Sequence, residues 1–429
     1  MTESILNLIP SEEQYLNCVR CGLCLAVCPT YQLYKNEADS PRGRVALARK
    51  NLQEELALNQ ILMARLDGCL LCLACDEICP VGIKPAQLAM QMRAITESRR
   101  PAAWKKTVFR KIVAKPKNMA MLTLPLKVYE KFGLRSFAQR VRLNRLLPQR
   151  IRDLEYSLPP RFSTHTSKKL PVFSPARTQK KYEVGFFLGC AQDLLFRETS
   201  AATIRVLNHN DCDVTTPRNV VCCGMPADGH GLHDLALEHA RQNIAVFEEK
   251  NYDFIVTDCA TCGSKLRGYA IMLKDDPQWQ QRAENFSSKV RDISEFLLSI
   301  PLKKPSGEIH ASITYHDPCH LRRGQNVWQQ PRELLKFIPG IELQEMEEAG
   351  TCCGSGGSHL ISHYPTSSAI LEKKVEDILK TGATMVASGC PGCQMQLNAG
   401  LRRKGLAIQV THPIVLLDQA YRLPEELHK

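Results

Sequence analysis

Nineteen of the 429 residues are cysteine, and eighteen of those fall into four spaced groups that no ordinary core requires. The first, Cys18-x-x-Cys21-x-x-Cys24-x-x-x-Cys28-Pro29, recurs as Cys69-x-x-Cys72-x-x-Cys75-x-x-x-Cys79-Pro80. The other two each read Cys … Cys-Cys-Gly … Cys-x-x-Cys. One comprises Cys190, Cys222, Cys223, Cys259 and Cys262, the other Cys319, Cys352, Cys353, Cys390 and Cys393. Any fold this chain adopts has to gather those thiols.

The opening MTESILNLIPSEEQ lacks the basic-then-apolar order of a secretory signal. No run of about 18 apolar residues suggests a membrane span. Both place the chain in the cytoplasm, where thiols stay reduced and a disulfide framework is not expected. An odd cysteine count suits disulfides poorly as well. Metal is the chemistry left.

The N-terminal runs have the spacing of bacterial two-cluster ferredoxins, in which three cysteines of one run hold one [4Fe–4S] cubane and the fourth ligates the other cluster. Cys18, Cys21, Cys24 and Cys79 should therefore hold one cubane, and Cys69, Cys72, Cys75 and Cys28 the second. Close spacing wraps three thiolates around one cube, while the later cysteine, turned by its proline, points to the neighbour. Structural zinc takes four ligands from two Cys-x-x-Cys pairs and has no use for this pattern twice over. The 40 residues between Cys28 and Cys69 imply a helical insert. Within it, Ser40-Pro41-Arg42-Gly43-Arg44 reads as a solvated turn or as arginines reaching thiolates or a partner, with the solvated turn slightly favoured.

The C-terminal groups form an internal repeat. Short apolar strands, YEVGFF and ASITY, lead into Cys190 and Cys319; DFIVT and ATMVAS lead into Cys259 and Cys390. The first cysteine precedes the Cys-Cys pair by 31 or 32 intervening residues, and 35 or 36 follow it before the Cys-x-x-Cys. Strands alternating with helices predict βαβ units and a small parallel sheet in each half, with sites where strands end and loops begin. The expected class is a multidomain α+β and α/β protein: a helical ferredoxin-like domain (1–96), a basic helical linker (97–181) and duplicated α/β units (182–301 and 302–429). Adjacent cysteines do not easily serve one corner each of a cubane, but they can bridge irons of an unusual cluster. Gly224, Gly354, Gly356 and Gly357 permit backbone that brings amides close to sulfur. From the residues alone, clusters at both groups, a cluster at one, and zinc or thiol redox chemistry all stay open.

In order and spacing these groups resemble the repeated CCG domain of the heterodisulfide reductases, both the separate cysteine-rich chain and the fused catalytic chain of the membrane-linked enzyme. Relatives of that domain include the iron–sulfur subunits of glycolate oxidase, lactate-utilisation systems and anaerobic glycerol-3-phosphate dehydrogenase. A two-cluster ferredoxin module followed by two CCG domains covers essentially the whole chain, and CVRCGLCLAVCPTYQLY with SPRGR looks most like the glycolate oxidase iron–sulfur subunit. The resemblance implies a noncubane [4Fe–4S] cluster at each complete set, Cys190/Cys222/Cys223/Cys259/Cys262 and Cys319/Cys352/Cys353/Cys390/Cys393. Some glycolate oxidase relatives lack cysteines in their final pairs, so completeness here leans toward the reductase-like state.

Cys212 lies outside every group and reads as an inert buried thiol. His230, His233, His316, His320 and His359 sit near the cysteine loops, where an imidazole can ligate iron or move protons but more often serves as scaffold. His316 and His320, flanking Cys319, are the foremost candidates. Arg99 to Lys181 carries 22 Lys/Arg against three acids, although the whole chain is only +12. Residues 105–146 suit an anionic membrane surface, an acidic flavoprotein, or a linker with a solvated face. They match no nucleic-acid module, and no nucleic-acid partner is expected.

No G-x-G-x-x-G fingerprint is present. The resemblance therefore implies an oxidoreductase subunit of the glycolate or D-lactate dehydrogenase type with a non-NAD acceptor. FAD would sit on a partner oxidase subunit. Electrons would pass to a quinone, an electron-transfer flavoprotein or another carrier, with peripheral contact at the inner face of the cytoplasmic membrane. Alone, the chain is not expected to oxidise substrate. The alternatives are a heterodisulfide reductase-like subunit that splits a disulfide at a CCG-bound cluster, and a zinc scaffold.

Overall fold

Two small sheets organise the C-terminal half of the computed structural model, which describes residues 9–113, 118, 148–158 and 170–427. The first contains β1 (Phe173–Ser174), β2 (Tyr182–Phe186), β3 (Cys212–Thr215), β4 (Phe254–Thr257) and β5 (Val290–Asp292) in the order β1-β3-β2-β4-β5. The second contains β6 (Ala311–Tyr315), β7 (Ile341–Gln344), β8 (Met385–Ala387) and β9 (Gln409–Thr411) in the order β7-β6-β8-β9. Apart from β1, antiparallel at the edge, every pairing is parallel and the two orders are the same. Val184 lies opposite both Val214 and Phe254; in the second sheet Ile313 lies opposite Leu343 and Met385. The inner strands β2, β4 and β6 are buried along successive residues, because parallel strands are covered on both faces.

The two sheets share one core. Val184, Phe186, Val214 and Val256 pack in the same buried cluster as Ile313, Tyr315, Leu334, Leu417 and Tyr421. The C-terminal helix (Pro413–Leu427) lies against the helix Arg197–His209 of the first unit, where Arg205 Nε donates to Asp418 Oδ1 at 2.8 Å. Asp418 is buried, so this pair is more than a surface ornament.

The N-terminal module is helical: α1 (Leu23–Val27), α2 (Pro41–Leu52), α3 (Gln60–Asp67), α4 (Ala74–Ile78) and α5 (Pro85–Arg99). Proline opens α2 and α5, where a missing N–H costs nothing. Ser40 caps α2 by accepting from Gly43 N at 2.9 Å. A Cβ on Gly43 would fall 1.9 Å from Glu37 O, so only glycine allows this approach. Tyr15, Val45, Leu62, Leu66, Leu88, Met92 and Ile95 form the module's own core. Among the described residues no helix is long and apolar enough to cross a membrane.

Candidate metal centres

α1 and α4 occupy the same place in the two N-terminal runs. Each begins after a left-handed residue, Gly22 (φ 88°) or Leu73 (φ 62°), and two residues earlier Arg20 (φ 55°) and Leu71 (φ 53°) are left-handed as well. Alternating conformations of this kind turn successive amide N–H groups inward, a concavity suited to anionic sulfur. Cys28 and Cys79 end these helices in extended conformation, each followed by proline, which carries their side chains across to the other run. Two cavities result. One is lined by Cys18, Cys21, Cys24 and Cys79; the other by Cys28, Cys69, Cys72 and Cys75. Cys79 thus lines the cavity of the first run, and Cys28 that of the second.

The donor chemistry fits a soft metal. All nineteen thiols are free, none in a disulfide. Burial pushes Cys75 far up, with the Asp76 carboxylate adding to the effect. Burial also raises Cys69, against the opposing pull of the Arg44 and Arg93 guanidiniums. Thiols this deeply buried give up their protons only when a cation replaces them. Arg44 and Arg93 are themselves buried, and Arg44 lines the Cys28/Cys69/Cys72/Cys75 cavity. The segment Ser40–Arg44 is therefore not a solvated turn: it is the cap and first turn of α2. Its Arg44 faces one thiol cavity and Arg42 the other.

The ten C-terminal cysteines gather at the carboxyl ends of the parallel strands, in two equivalent places. In the first, Cys190 and Cys222 sulfurs lie 3.9 Å apart, and the Cys262 amide donates to Cys259 Sγ at 3.4 Å. Hydrogen bonds from Cys222 and Cys262 hold Cys223 well below the usual thiol range, helped by the buried Lys265 ammonium. In the second, Cys352 and Cys393 do the same for Cys353. The Gly354 amide donates to Cys352 Sγ at 3.4 Å, and Cys390 is lowered to about 6, chiefly by Cys393. Gly224 and Gly354, next in sequence after Cys223 and Cys353, are left-handed at φ 90° and 86°.

The thiol groups are not isolated from one another, which spacing alone does not reveal. Leu70, Cys72 and Ala74 pack with Cys352 and Ile370 in one buried cluster that Cys319 borders. Across the other side of the second unit, Thr261 Oγ1 lies 3.5 Å from Cys390 Sγ, and the Ala260 amide donates to Gly389 O at 3.0 Å. The four groups therefore form one contiguous string. A signal existed: the second run interposes Leu70, Leu71 and Leu73 where the first has Val19, Arg20 and Gly22, as a run packed against protein should. Arg93 carries no such signal in the sequence. From the middle of α5 it donates to Leu66, Asp67 and Cys69 carbonyls and, at 2.8 Å, to Gly229 O of the first CCG unit.

Four of the five candidate histidines have scaffold bonds. His233 Nδ1 meets Asp228 at 2.8 Å, His230 Nε2 meets Ser358 Oγ at 2.7 Å, His320 Nδ1 meets Ser264 Oγ at 3.4 Å, and His359 Nδ1 meets Gly356 O at 3.2 Å. His316 is different: it is buried, its Nδ1 has no partner among the described residues, and a ring nitrogen lies within 4.8 Å of both Cys353 and Cys393 sulfurs. Cys212 sits in β3, wholly buried in the apolar core, and burial raises it to about 12. Most of the basic stretch 105–146 lies outside the described residues. Its start packs on the first CCG unit, Phe109 lying 5.0 Å from the His230 ring and Arg110 pairing with Glu238.

Family models match along most of the chain. A 4Fe-4S dicluster domain covers residues 14–83, and a cysteine-rich (CCG) domain covers 184–267 and again 313–398. The linker region of the glycolate oxidase iron–sulfur subunit covers residues 100–158. The chain is 34% identical over 419 residues to a probable glycolate oxidase iron–sulfur subunit of Bacillus subtilis, spanning 95% of this chain and 94% of that one. It is 29% identical over 414 residues to the glycolate oxidase iron–sulfur subunit of Escherichia coli K12, with 94% and 93% covered. Lactate utilization protein A of Halalkalibacterium halodurans is 31% identical over 245 residues, which is 57% of this chain and all of that protein.

Proposed function

Because the chain belongs to the glycolate oxidase iron–sulfur subunit family, we propose that it is the electron-carrying subunit of a glycolate or D-lactate dehydrogenase complex. An FAD-bearing partner removes the electron pair from the 2-hydroxyacid, and this chain delivers the electrons singly to a quinone or another carrier. Cys18, Cys21, Cys24 and Cys79 are the ligands of one cubane, and Cys28, Cys69, Cys72 and Cys75 those of the second. The two CCG sets, Cys190/Cys222/Cys223/Cys259/Cys262 and Cys319/Cys352/Cys353/Cys390/Cys393, each hold a further [4Fe–4S] cluster.

When bound, such clusters supply one-electron chemistry at potentials that burial, charge and hydrogen bonds to sulfur set. The chain's own part is to order the stations and keep water out. The single observation that carries the proposal is contiguity: Cys72 and Cys352 share one buried cluster, and Thr261, between the paired cysteines of the first CCG set, reaches Cys390 Sγ of the second. Leu70, Ala74 and Ile370 seal the first of these junctions. Arg44, Arg93, Lys265 and Lys374 place buried positive charge beside the thiolates and offset the cost of gathering negative sulfur in a dry interior.

The complete set of ten CCG cysteines favours a second reading, in which the paired sites reduce a disulfide directly. One experiment separates them. The chain is purified anaerobically with a co-expressed FAD-linked oxidase, and dye reduction is followed with glycolate, D-lactate and a disulfide. Hydroxyacid-dependent reduction that needs both polypeptides supports the proposal. Disulfide turnover by this chain without the flavoprotein refutes it in favour of the second reading, and colourless material without iron or acid-labile sulfide refutes both.

A further inference from the structure

The two CCG units match element by element, so a residue that breaks their equivalence at the site itself stands out. Three residues before the first cysteine, at the end of the central strand, the first unit has Phe187 and the second has His316. Their backbones do the same thing: the Phe187 amide donates to Val256 O at 2.8 Å and the His316 amide to Ala387 O at 3.0 Å, each bridging to the strand that leads into the Cys-x-x-Cys. Both side chains are buried against the thiols. Phe187 packs in one apolar cluster with Cys222, Cys223, Cys259 and Cys262. His316, at 1% exposure, brings a ring nitrogen within 4.8 Å of Cys353 and Cys393 sulfurs, the pair equivalent to Cys223 and Cys262.

A buried imidazole with an orphaned nitrogen is costly unless that nitrogen has a partner. The Nδ1 of His316 has none among the described residues, and the sulfur cage lies beside the ring. Phenylalanine fills the same space in the first unit, so packing alone does not require a polar ring here.

We propose that His316 is a functional member of the second CCG site, its imidazole nitrogen directed at the metal group held there. By this contact it sets the redox potential of the second site above that of the first. This rests on the proposed function only in requiring a metal group at the second set. Replacing thiolate character with imidazole nitrogen, or donating an N–H to a ligating sulfur, stabilises the reduced state and raises potential. Among the described residues the first site, with a phenyl ring in that place, gathers no imidazole with its sulfurs in this way. The two C-terminal stations are then unequal by construction. The second, which touches Cys72 of the ferredoxin module, is the one that retains an electron.

The test uses the full chain, isolated anaerobically, as wild type, His316→Phe (the first unit's own residue) and His316→Gln. Iron content is measured, and redox titrations are followed by electron paramagnetic resonance. Pulsed spectra of wild-type protein carrying 15N-labelled histidine detect any imidazole nitrogen coupled to a C-terminal cluster. The expected result is two distinct midpoints in wild type and a histidine nitrogen coupling on one signal. That signal moves to lower potential in His316→Phe, while the other stays in place. A smaller shift in His316→Gln, which keeps an N–H donor, identifies hydrogen bonding; an equal shift identifies coordination. Unmoved midpoints in both variants, or no histidine coupling in fully loaded wild type, overturn the inference and leave the electron-transfer function standing. If the variants fail to load, the wild-type labelling decides. Absence of iron from the second set in wild type removes the cluster assignment there and this inference together.

Discussion

Arg93 holds the ferredoxin module to the first CCG unit, and removing it has a calculable cost. Its Nη2 reaches the carbonyls of Leu66 (2.7 Å), Asp67 (3.1 Å) and Cys69 (2.6 Å), and its Nη1 that of Gly229 (2.8 Å), 136 residues away in sequence. In Arg93→Met the apolar stem is kept and the fork is lost. The Leu66 and Cys69 carbonyls lie in buried surroundings and lose a charged donor; each such orphaned group costs about 1–3 kcal/mol. The Asp67 and Gly229 carbonyls are only partly buried and regain water, so they add little. Burying the guanidinium was itself unfavourable, as its lowered pKa records, and that offsets part of the loss. The net expectation is about 3 kcal/mol of destabilisation. Arg93→Lys, with the charge but not the fork, should lose about 2 kcal/mol. An independent lesion exists at the same junction: a Cβ on Gly231 (φ 81°) would lie 2.5 Å from Arg93 O. Because Gly231→Ala and Arg93→Met strike one contact, the double variant should lose less than the two losses added together. Urea unfolding of the anaerobic full chain, followed by circular dichroism, measures all of these variants against wild type. A loss under about 1 kcal/mol for Arg93→Met would refute the cost assigned to the orphaned Leu66 and Cys69 carbonyls, and full additivity of the pair would refute the claim that this fork joins the two bodies.

Gly354→Ala and Gly224→Ala both force a side chain into left-handed backbone, at about 1–2 kcal/mol. A Cβ at Gly354 also meets Ser367 O at 2.5 Å, whereas one at Gly224 comes no nearer than 3.3 Å to Ala236 Cα. Gly354→Ala should therefore be the more destabilising by about 1 kcal/mol or more and should shed iron first, and equal urea midpoints would count against this. Cys72→Ala should lower iron by about four atoms per chain, the content of one cubane, while Cys212→Ala leaves iron and colour unchanged; colorimetric iron and sulfide assays decide. His412 is buried with its Nδ1 accepting from the Ile414 amide at 3.1 Å, and burial lowers its pKa to about 3. Folded protein keeps this ring neutral while the unfolded chain protonates below about pH 6.5, so stability falls as pH drops from there toward 3. His412→Gln should flatten that acid limb by about 3 kcal/mol at pH 4, and a limb as steep as wild type would show that other groups set it.

How far the sequence reaches depends on whether a feature is local. The crossing of Cys28 and Cys79 between the two cavities is legible because spacing and a following proline fix it within one turn of chain. The sheets are legible because YEVGF, FIVT and ASITY are short runs rich in β-branched and aromatic residues that lead straight into a cysteine loop; that they are buried without alternation, as strands covered on both faces are, only the structure shows. Ser40–Arg44 is not legible, because an arginine pair beside Gly and Pro looks solvated until the partners are known. Arg44 donates to the carbonyl of Arg65 at 2.8 Å and to Thr30 Oγ1 at 3.2 Å, contacts that arise only when α2 and α3 pack. Arg93 is hidden for the same reason, its Gly229 partner lying in another unit. Yet the docking of the modules leaves a trace. Between the thiols of the first run stand Val19 at 64% exposure and an exposed Arg20; between those of the second stand a buried Leu70 and a half-buried Leu71. Thiol runs of identical spacing but opposite lining cannot face the same medium: the first is turned toward solvent and the second inward, into the cluster that holds Cys352. Direction along the string of sites is thus written in the residues between the cysteines rather than in the cysteines themselves.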